Sequence, residues 1–390
     1  MLRFDPAEYA LRLAKTKESM QEHGVDVLIV PDPANMNYLT GYDGWSFYVP
    51  QAVVVILDEE QPLWIGRYQD ANAARATTYL EQRNIYAYPD VYVHADILHP
   101  MDYVANVVTE RGLATRPIGV NMDAEYLSPR GLAALQNNLP DANFVDTGFL
   151  VNWVRAVKSQ HELDYMDQAA RIIEHVMQVA IDAVAPGVRQ CDAVGKIYQA
   201  QMSGTEEFGG DYPAIAPLLP SGPGTNTPHL TWTDDPFRSD ETTILELAAC
   251  RHRYHVPMAR TVHLGKAPKR LEETSKIVVE GIENALAAAK PGALCEEVEL
   301  AWQRTIQRHG IVKESRIGYS VGLNYPPDWG EHTMSLRPGN KTEIRPNMCF
   351  HLIPGLWLED WGVEISECFR VTEQGAQPFC NFPRQLVIKT

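Results

Sequence analysis

A carboxylate set inside an apolar strand is the first feature of this chain that could do chemistry. Between Ile244 and Thr261, Thr243, Leu245 and Leu247 alternate with Ile244, Glu246 and Ala248, which predicts a strand carrying Glu246. A second strand is expected at Val262-His263-Leu264. A charge in such a run is costly unless it is paired or takes up a proton. Two readings follow. Glu246 is a structural group held by Arg251, Arg253 or Arg260, or it is a catalytic acid facing a pocket. His229, at the end of Gly222-Pro223-Gly224-Thr225-Asn226-Thr227-Pro228-His229, is a second titratable group. A lone histidine is more often a satisfied structural residue than a proton carrier.

The elements around these residues can be read from capping and periodicity. Asp5-Pro6-Ala7-Glu8 predicts a helix start with an Asp N-cap, Pro in the first turn and Glu three residues on. That helix should reach about Glu22 and stop near Gly24. Val27–Val30 reads as a buried strand, and Ala52–Leu57 with Pro62–Ile65 as a hairpin. Helices near Met101–Arg111 and Ser128–Asn138 flank a strand at Pro117–Val120, the alternation of an α/β layer domain. Gly44-Trp45-Ser46-Phe47-Tyr48 is an aromatic cluster in a loop, suited to surface or interface packing. From His161 to Ala185 apolar residues recur at helical spacing. A helix, a Pro-Gly break and a second helix occur twice, around Pro186-Gly187 and around Pro291-Gly292, as a weak internal repeat.

With 390 residues and 45% hydrophobic content, the chain can fill two cores. A net charge of −16 argues against nucleic acid and anionic membranes as partners and is compatible with a cationic or zwitterionic small molecule. The absence of a long apolar run or an apolar leader makes the cytoplasm the expected location. The 6 cysteines form no CxxC pair and read as buried thiols.

Several segments resemble the pita-bread hydrolases, the fold of methionine aminopeptidase, prolidase, aminopeptidase P and creatinase. Asn35-Met36-Asn37-Tyr38-Leu39-Thr40-Gly41 is similar to the opening of their N-terminal domain, and Arg155-Ala156-Val157-Lys158-Ser159 with Glu162 to the start of their catalytic domain. The resemblance implies an α/β (α+β) fold with a creatinase-like N-terminal domain over 1–156 and a pita-bread domain over 157–390, the latter built about a pseudo-twofold axis. The family's metalloenzymes hold a pair of divalent ions with two Asp, one His and two Glu. In this chain those positions carry Glu246, Pro257, Tyr319, Ile353 and Ser366, so one carboxylate remains. The resemblance therefore implies a metal-free member with no cofactor.

The Glu246 strand, the run His255 to Thr261 and Asn324-Tyr325-Pro326-Pro327-Asp328-Trp329 are most similar to a metal-free branch, the ectoine hydrolases. Creatinase has a Glu where Ala259 stands, which counts against creatine. The implied reaction is water-driven opening of a cyclic amidine, ectoine or its hydroxylated form, to an N-acetyl-2,4-diaminobutyrate. The implied roles are Glu246 as nucleophile or base, His229 as proton shuttle and Tyr319 as hydrogen-bond donor. Arg316 or Arg337 would hold the substrate carboxylate, and Glu331 or Glu364 the amidinium nitrogens. Trp45 and Tyr48 would line the pocket across a homodimer. The competing readings are a creatinase-like amidinohydrolase, an Xaa-Pro dipeptidase and a non-catalytic binding protein of the same fold.

Overall fold

The computed structural model describes residues 2–390, and its contacts divide the chain into two compact units, Met1–Arg155 and Ala156–Thr390. The first runs α1 (Pro6–Glu22), β1 (Val27–Val30), α2 (Pro33–Thr40), β2 (Ala52–Ile56), β3 (Leu63–Arg67), α3 (Ala71–Thr77), β4 (Ile85–Tyr88), α4 (Pro100–Glu110), β5 (Ile118–Val120), α5 (Pro129–Asn138), β6 (Phe144–Asp146) and α6 (Leu150–Val154). Its strands make one sheet in the order β4-β3-β2-β1-β5-β6. The β1–β2 and β2–β3 pairs are antiparallel, as the hairpin reading expects, and the outer pairs are parallel. Both faces of the central strands are buried, so Val27–Val30 and Ala52–Ile56 are continuously apolar. Two local expectations are corrected. Asp5 occupies the N-cap of α1 but makes no side-chain cap bond. The Asn35–Thr40 motif, to which no element was assigned, lies in a short helix capped by Asp32, whose carboxylate accepts the Asn35 N–H at 2.8 Å.

The second unit opens with two helix pairs separated by a long hairpin: α7 (Gln160–Ala183), α8 (Gln190–Ser203), β7 (Thr242–Arg251), β8 (Tyr254–Leu264), α9 (Lys269–Ala288) and α10 (Cys295–Gln307). Ser159 and Glu162 close a capping box on α7, so that part of the domain-start motif has a local structural job. Each helix pair turns at a glycine with positive φ, Gly187 (φ 83°) and Gly292 (φ 86°), at equivalent places in the two Pro-Gly segments. A second sheet follows, from β9 (Gly318–Val321), β10 (Gly330–Leu336), β11 (Cys349–Leu352), β12 (Leu356–Trp357), β13 (Gly362–Val363), β14 (Glu367–Thr372), β15 (Gly375–Pro378) and β16 (Val387–Lys389). Five of these pair as β10-β9-β11-β14-β15, β12 and β13 form a separate hairpin, and β16 joins β8 and β7.

The second strand of the Glu246 hairpin is longer than expected. It starts at Tyr254, not Val262, because His252 (φ 49°) and Arg253 (φ 71°) make a two-residue turn of left-handed residues. That geometry matches the twist of the flanking strands. Five cysteines are buried as expected, Cys191 is half-buried instead, and all 6 are free thiols. Among the described residues no helix is long and apolar enough to cross a membrane.

Packing of α9 on α10 depends on one small residue. Trp302 is fully buried, and a Cβ added at Gly281 would meet its ring at 2.3 Å. Gly281→Ala would gain roughly 1 kcal/mol of helix propensity. Overpacking a rigid indole costs about 1–3 kcal/mol. The expected net result is a lower thermal midpoint for Gly281→Ala. Calorimetry of the variant checks it, and a raised midpoint would mean that propensity wins.

Candidate active site

Glu246 lies on β7 directly opposite Ala259 on β8. The backbone of Ala259 is tied on its other side to Ser366: its N–H donates to Ser366 Oγ at 2.7 Å, and its C=O accepts the Ser366 N–H at 3.1 Å. Two residues along β8, the Thr261 hydroxyl both donates to the Glu364 carbonyl (2.7 Å) and accepts the Glu364 N–H (2.8 Å). These bonds stitch the 364–366 segment against the hairpin, which is how residues more than 100 positions apart share one centre.

Glu246 is 6% exposed and Glu364 1%. Neither carboxylate hydrogen-bonds to a described residue, and both oxygens of Glu364 are fully enclosed. Burial pushes Glu246 up to about 8, helped by the negative charge of Asp328. Glu364 is raised well above the usual carboxylate range, first by burial and then by Glu246, with Lys313 opposing. Two acids held this way retain a proton between them, because both cannot be charged in a dry cavity. None of the three arginines offered as structural partners holds Glu246. Arg251 binds Gln168 and the Gly209 carbonyl, Arg253 the Tyr212 carbonyl, and Arg260 the carbonyls of Ala259, Ser366, Phe382 and Pro383. Chain position explains this, since Arg251 and Arg260 lie opposite in pleat to Glu246 and Arg253 lies in the turn.

Asp328 is the third acid of the centre. Burial would raise it, but the His332 Nε2 contact at 2.9 Å, the Gly330 N–H at 3.0 Å and the charges of His332 and Arg316 outweigh burial, so it sits below the usual range. Next to it, Trp329 packs with Ala248 and Tyr319. Ala248 shares the face of β7 that carries Glu246. The Trp329 indole N–H donates to the Tyr319 oxygen at 2.7 Å. Tyr319 Oη also contacts His351 Nδ1 at 3.0 Å, and His351 Nε2 contacts Ser366 Oγ at 2.8 Å. His351 is fully buried and pushed down to about 3 by that burial, with Arg260 and Arg316 adding to it, so it is neutral.

The structure thus brings Glu246, Tyr319 and Glu364 together and sets Arg316 at the edge of the group. The Arg316 guanidinium lies 4.5 Å from the Tyr319 ring centroid and donates to Ser335 Oγ at 3.2 Å. The other expected site residues have different partners or are exposed. Glu331 is already neutralised in a buried ion pair with Lys158, 2.5 Å apart with both side chains 1% exposed. Arg337 is exposed on the turn after β10 and makes no side-chain bond to a described residue. His229 is exposed and makes no hydrogen bond or ion pair with a described residue, so it is not part of the bonded network. Trp45 and Tyr48 belong to the first unit, each 59% exposed, with the Trp45 ring 4.7 Å from Phe47.

Three members were not picked out as site residues from the sequence. Asp328 lay inside a quoted motif. Lys313, pushed down to about 8 by burial beside Glu364, donates to Gly355 O at 2.6 Å and Ser315 Oγ at 2.8 Å from a stretch without periodicity. His351 had a usable signal, a titratable group in the apolar run Cys349–Leu352, the same signal that marked Glu246.

These residues do not fit the pair of divalent ions that the fold's metalloenzymes hold. Pro257 and Ile353 offer no donor atom. Both nitrogens of His351 are engaged, by Tyr319 and Ser366. Among the described residues no group of three or more His, Cys, Asp or Glu side chains could hold a metal ion.

Residues 12–157 match the creatinase/prolidase N-terminal domain, and residues 164–373 match metallopeptidase family M24. The chain is 45% identical over 395 residues to an ectoine hydrolase of Halomonas elongata, covering 100% of this chain and 99% of that one. It is 24% identical to an Xaa-Pro dipeptidase of Lactobacillus helveticus, covering 97% and 99%. Among solved structures, a prolidase from Thermococcus sibiricus superimposes with a TM-score of 0.84 at 18% identity over 97% of this chain and 99% of that one, a likeness of fold. With both domain models matched in order along nearly its whole length, this chain belongs to the M24 family of pita-bread hydrolases and is a hydrolytic enzyme of it.

Proposed function

We propose that this enzyme opens the ring of ectoine, a cyclic amidine bearing one carboxylate, with water and without a metal ion, to give an N-acetyl-2,4-diaminobutyrate. The observation that carries this reading is the enclosed pair Glu246 and Glu364, without hydrogen-bond partners, next to the ionised Asp328. A pair of buried acids of that kind selects a cation that also donates hydrogen bonds, and an amidinium has both properties. The relative from Halomonas elongata, named for ectoine, supports the substrate.

In this reading the amidinium replaces the retained proton as the charge that stabilises the carboxylates. Glu246 deprotonates the water that attacks the electron-poor carbon between the two ring nitrogens, or attacks that carbon itself, in which case water afterwards cleaves the bond between Glu246 and the carbon and restores the carboxylate. The bond from that carbon to one ring nitrogen breaks, the nitrogen takes up a proton and leaves as an amine, and the carbon ends as the acetyl carbonyl. Glu364 pairs with the amidinium N–H groups. Tyr319 donates a hydrogen bond to the reacting centre. Arg316, exposed beside Asp328 and Tyr319, takes the substrate carboxylate. A homodimer is part of the reading, with Trp45 and Tyr48 as the aromatic rings offered to a partner copy.

The reaction is tested by mass spectrometry of ectoine incubated with enzyme after exhaustive chelation. Ring-opened product is expected, and activity that disappears with the chelator and returns with a divalent ion would overturn the metal-free mechanism. Creatine and Xaa-Pro dipeptides, assayed alongside, should not turn over. Glu246→Gln should lose turnover by at least about 1,000-fold while still binding ectoine by calorimetry. Near-normal turnover would remove Glu246 from the chemistry.

The same variant has a stability signature. Folded Glu246 keeps its proton up to about pH 8, whereas its ordinary value is 4.5. Between those limits the native state binds more protons than the unfolded chain, so this group makes stability fall as pH rises. Glu246→Gln should therefore be more stable than the wild type above the lower limit. The gain should grow up to about pH 8 and then level off. Urea denaturation across that range reads the difference, and a gain that shrinks as pH rises would contradict it.

A further inference from the structure

The hydrogen bonds joining Tyr319, His351 and Ser366 allow two arrangements of protons, and each leaves one hydroxyl proton without an acceptor among the described residues: that of fully buried Ser366 in one, that of half-buried Tyr319, which has the Glu246 acid near it, in the other. Ser366 is fully buried, and its Oγ already accepts the Ala259 N–H. If His351 donated from Nε2, the serine oxygen would accept twice and its own proton would have no acceptor among the described residues. A buried donor left unmade costs about 1–3 kcal/mol. If Ser366 donates to Nε2 instead, all its bonds are made. The imidazole is neutral, so its single proton then sits on Nδ1 and is donated to the Tyr319 oxygen. That oxygen also accepts the indole N–H of Trp329, which can only donate. Both neighbours of the phenol are therefore donors, and the phenol proton has neither to turn to. The remaining groups close enough to act electrostatically on Tyr319 are Glu246, Asp328 and Arg316.

We propose that Ser366 and His351 are positioning residues that hold the Tyr319 phenol proton aimed toward Glu246, where it meets the acyl or leaving-group atom of the substrate. The chain runs from the β8 backbone through Ser366 and His351 to Tyr319, and it occupies two of the places where the fold's metalloenzymes keep metal ligands. It supplies one neutral donor of fixed direction in a dry site. Its catalytic use rests on the amidine-opening reading. The proton arrangement does not.

Nitrogen NMR of the full-length protein labelled with 15N in histidine tests the arrangement directly. The His351 signals are identified by their loss in His351→Gln. A wild-type His351 protonated on Nδ1 is expected, and protonation on Nε2 would overturn the proposal whatever the substrate is. The kinetic arm uses ectoine. Tyr319→Phe should lower kcat by roughly 100-fold, in the range seen when one preorganised donor is removed, with a smaller change in KM. Ser366→Ala should lose much of the same factor, because nothing then holds the imidazole proton on Nδ1. In the Tyr319→Phe background, Ser366→Ala should cost no more than about twofold further. Losses that multiply in the double variant would show that Ser366 acts by another route and would overturn the proposal. If the wild type does not open ectoine at all, the substrate assignment fails and the spectrum alone decides the proton arrangement.

Discussion

The centre of this enzyme depends on the mutual proximity of two carboxylates in a place that water does not reach. Burial raises the affinity of both Glu246 and Glu364 for protons, with Asp328 adding to it at Glu246 and Glu246 adding to it at Glu364. An isolated pair of this kind would be a liability of several kcal/mol. It is tolerated because the acids can keep a proton. The same arrangement makes the cavity ready for a cation, since a ligand that brings positive charge and N–H donors removes the penalty on binding.

The surroundings are built to keep that charge balance local. Asp328 is held ionised by His332, the Gly330 amide and Arg316 at the edge of the group. Lys313 faces Glu364 from the other side but is tied down by Gly355 and Ser315. Lys158 and Glu331 neutralise each other in their own buried pair. The arginines of the Glu246 hairpin bind backbone carbonyls, so none reaches in to quench the acids.

Much of the frame was legible before any coordinates. Caps and periodicity placed α1, α4, α5 and α7 within a few residues, because each has a local signal that packing does not override. The β7–β8 turn was not legible, because His252 and Arg253 carry left-handed backbone without a glycine to announce it. Nor was the exposure of His229, which a loop of Gly, Pro and Thr leaves unspecified. Glu331 looked as available as Glu364 along the chain, and only the arrival of Lys158 from 173 residues away distinguishes them.

The sequence by itself determined the family, the two-domain frame and the loss of ligand atoms at Pro257 and Ile353, since these rest on residue identity and local spacing. Tertiary structure alone decided which acids meet, that His351 stands between Tyr319 and Ser366, and that Lys158 pairs with Glu331. Those outcomes depend on contacts between strands far apart in the chain, and nothing in local propensity records which side chain will lie across from which.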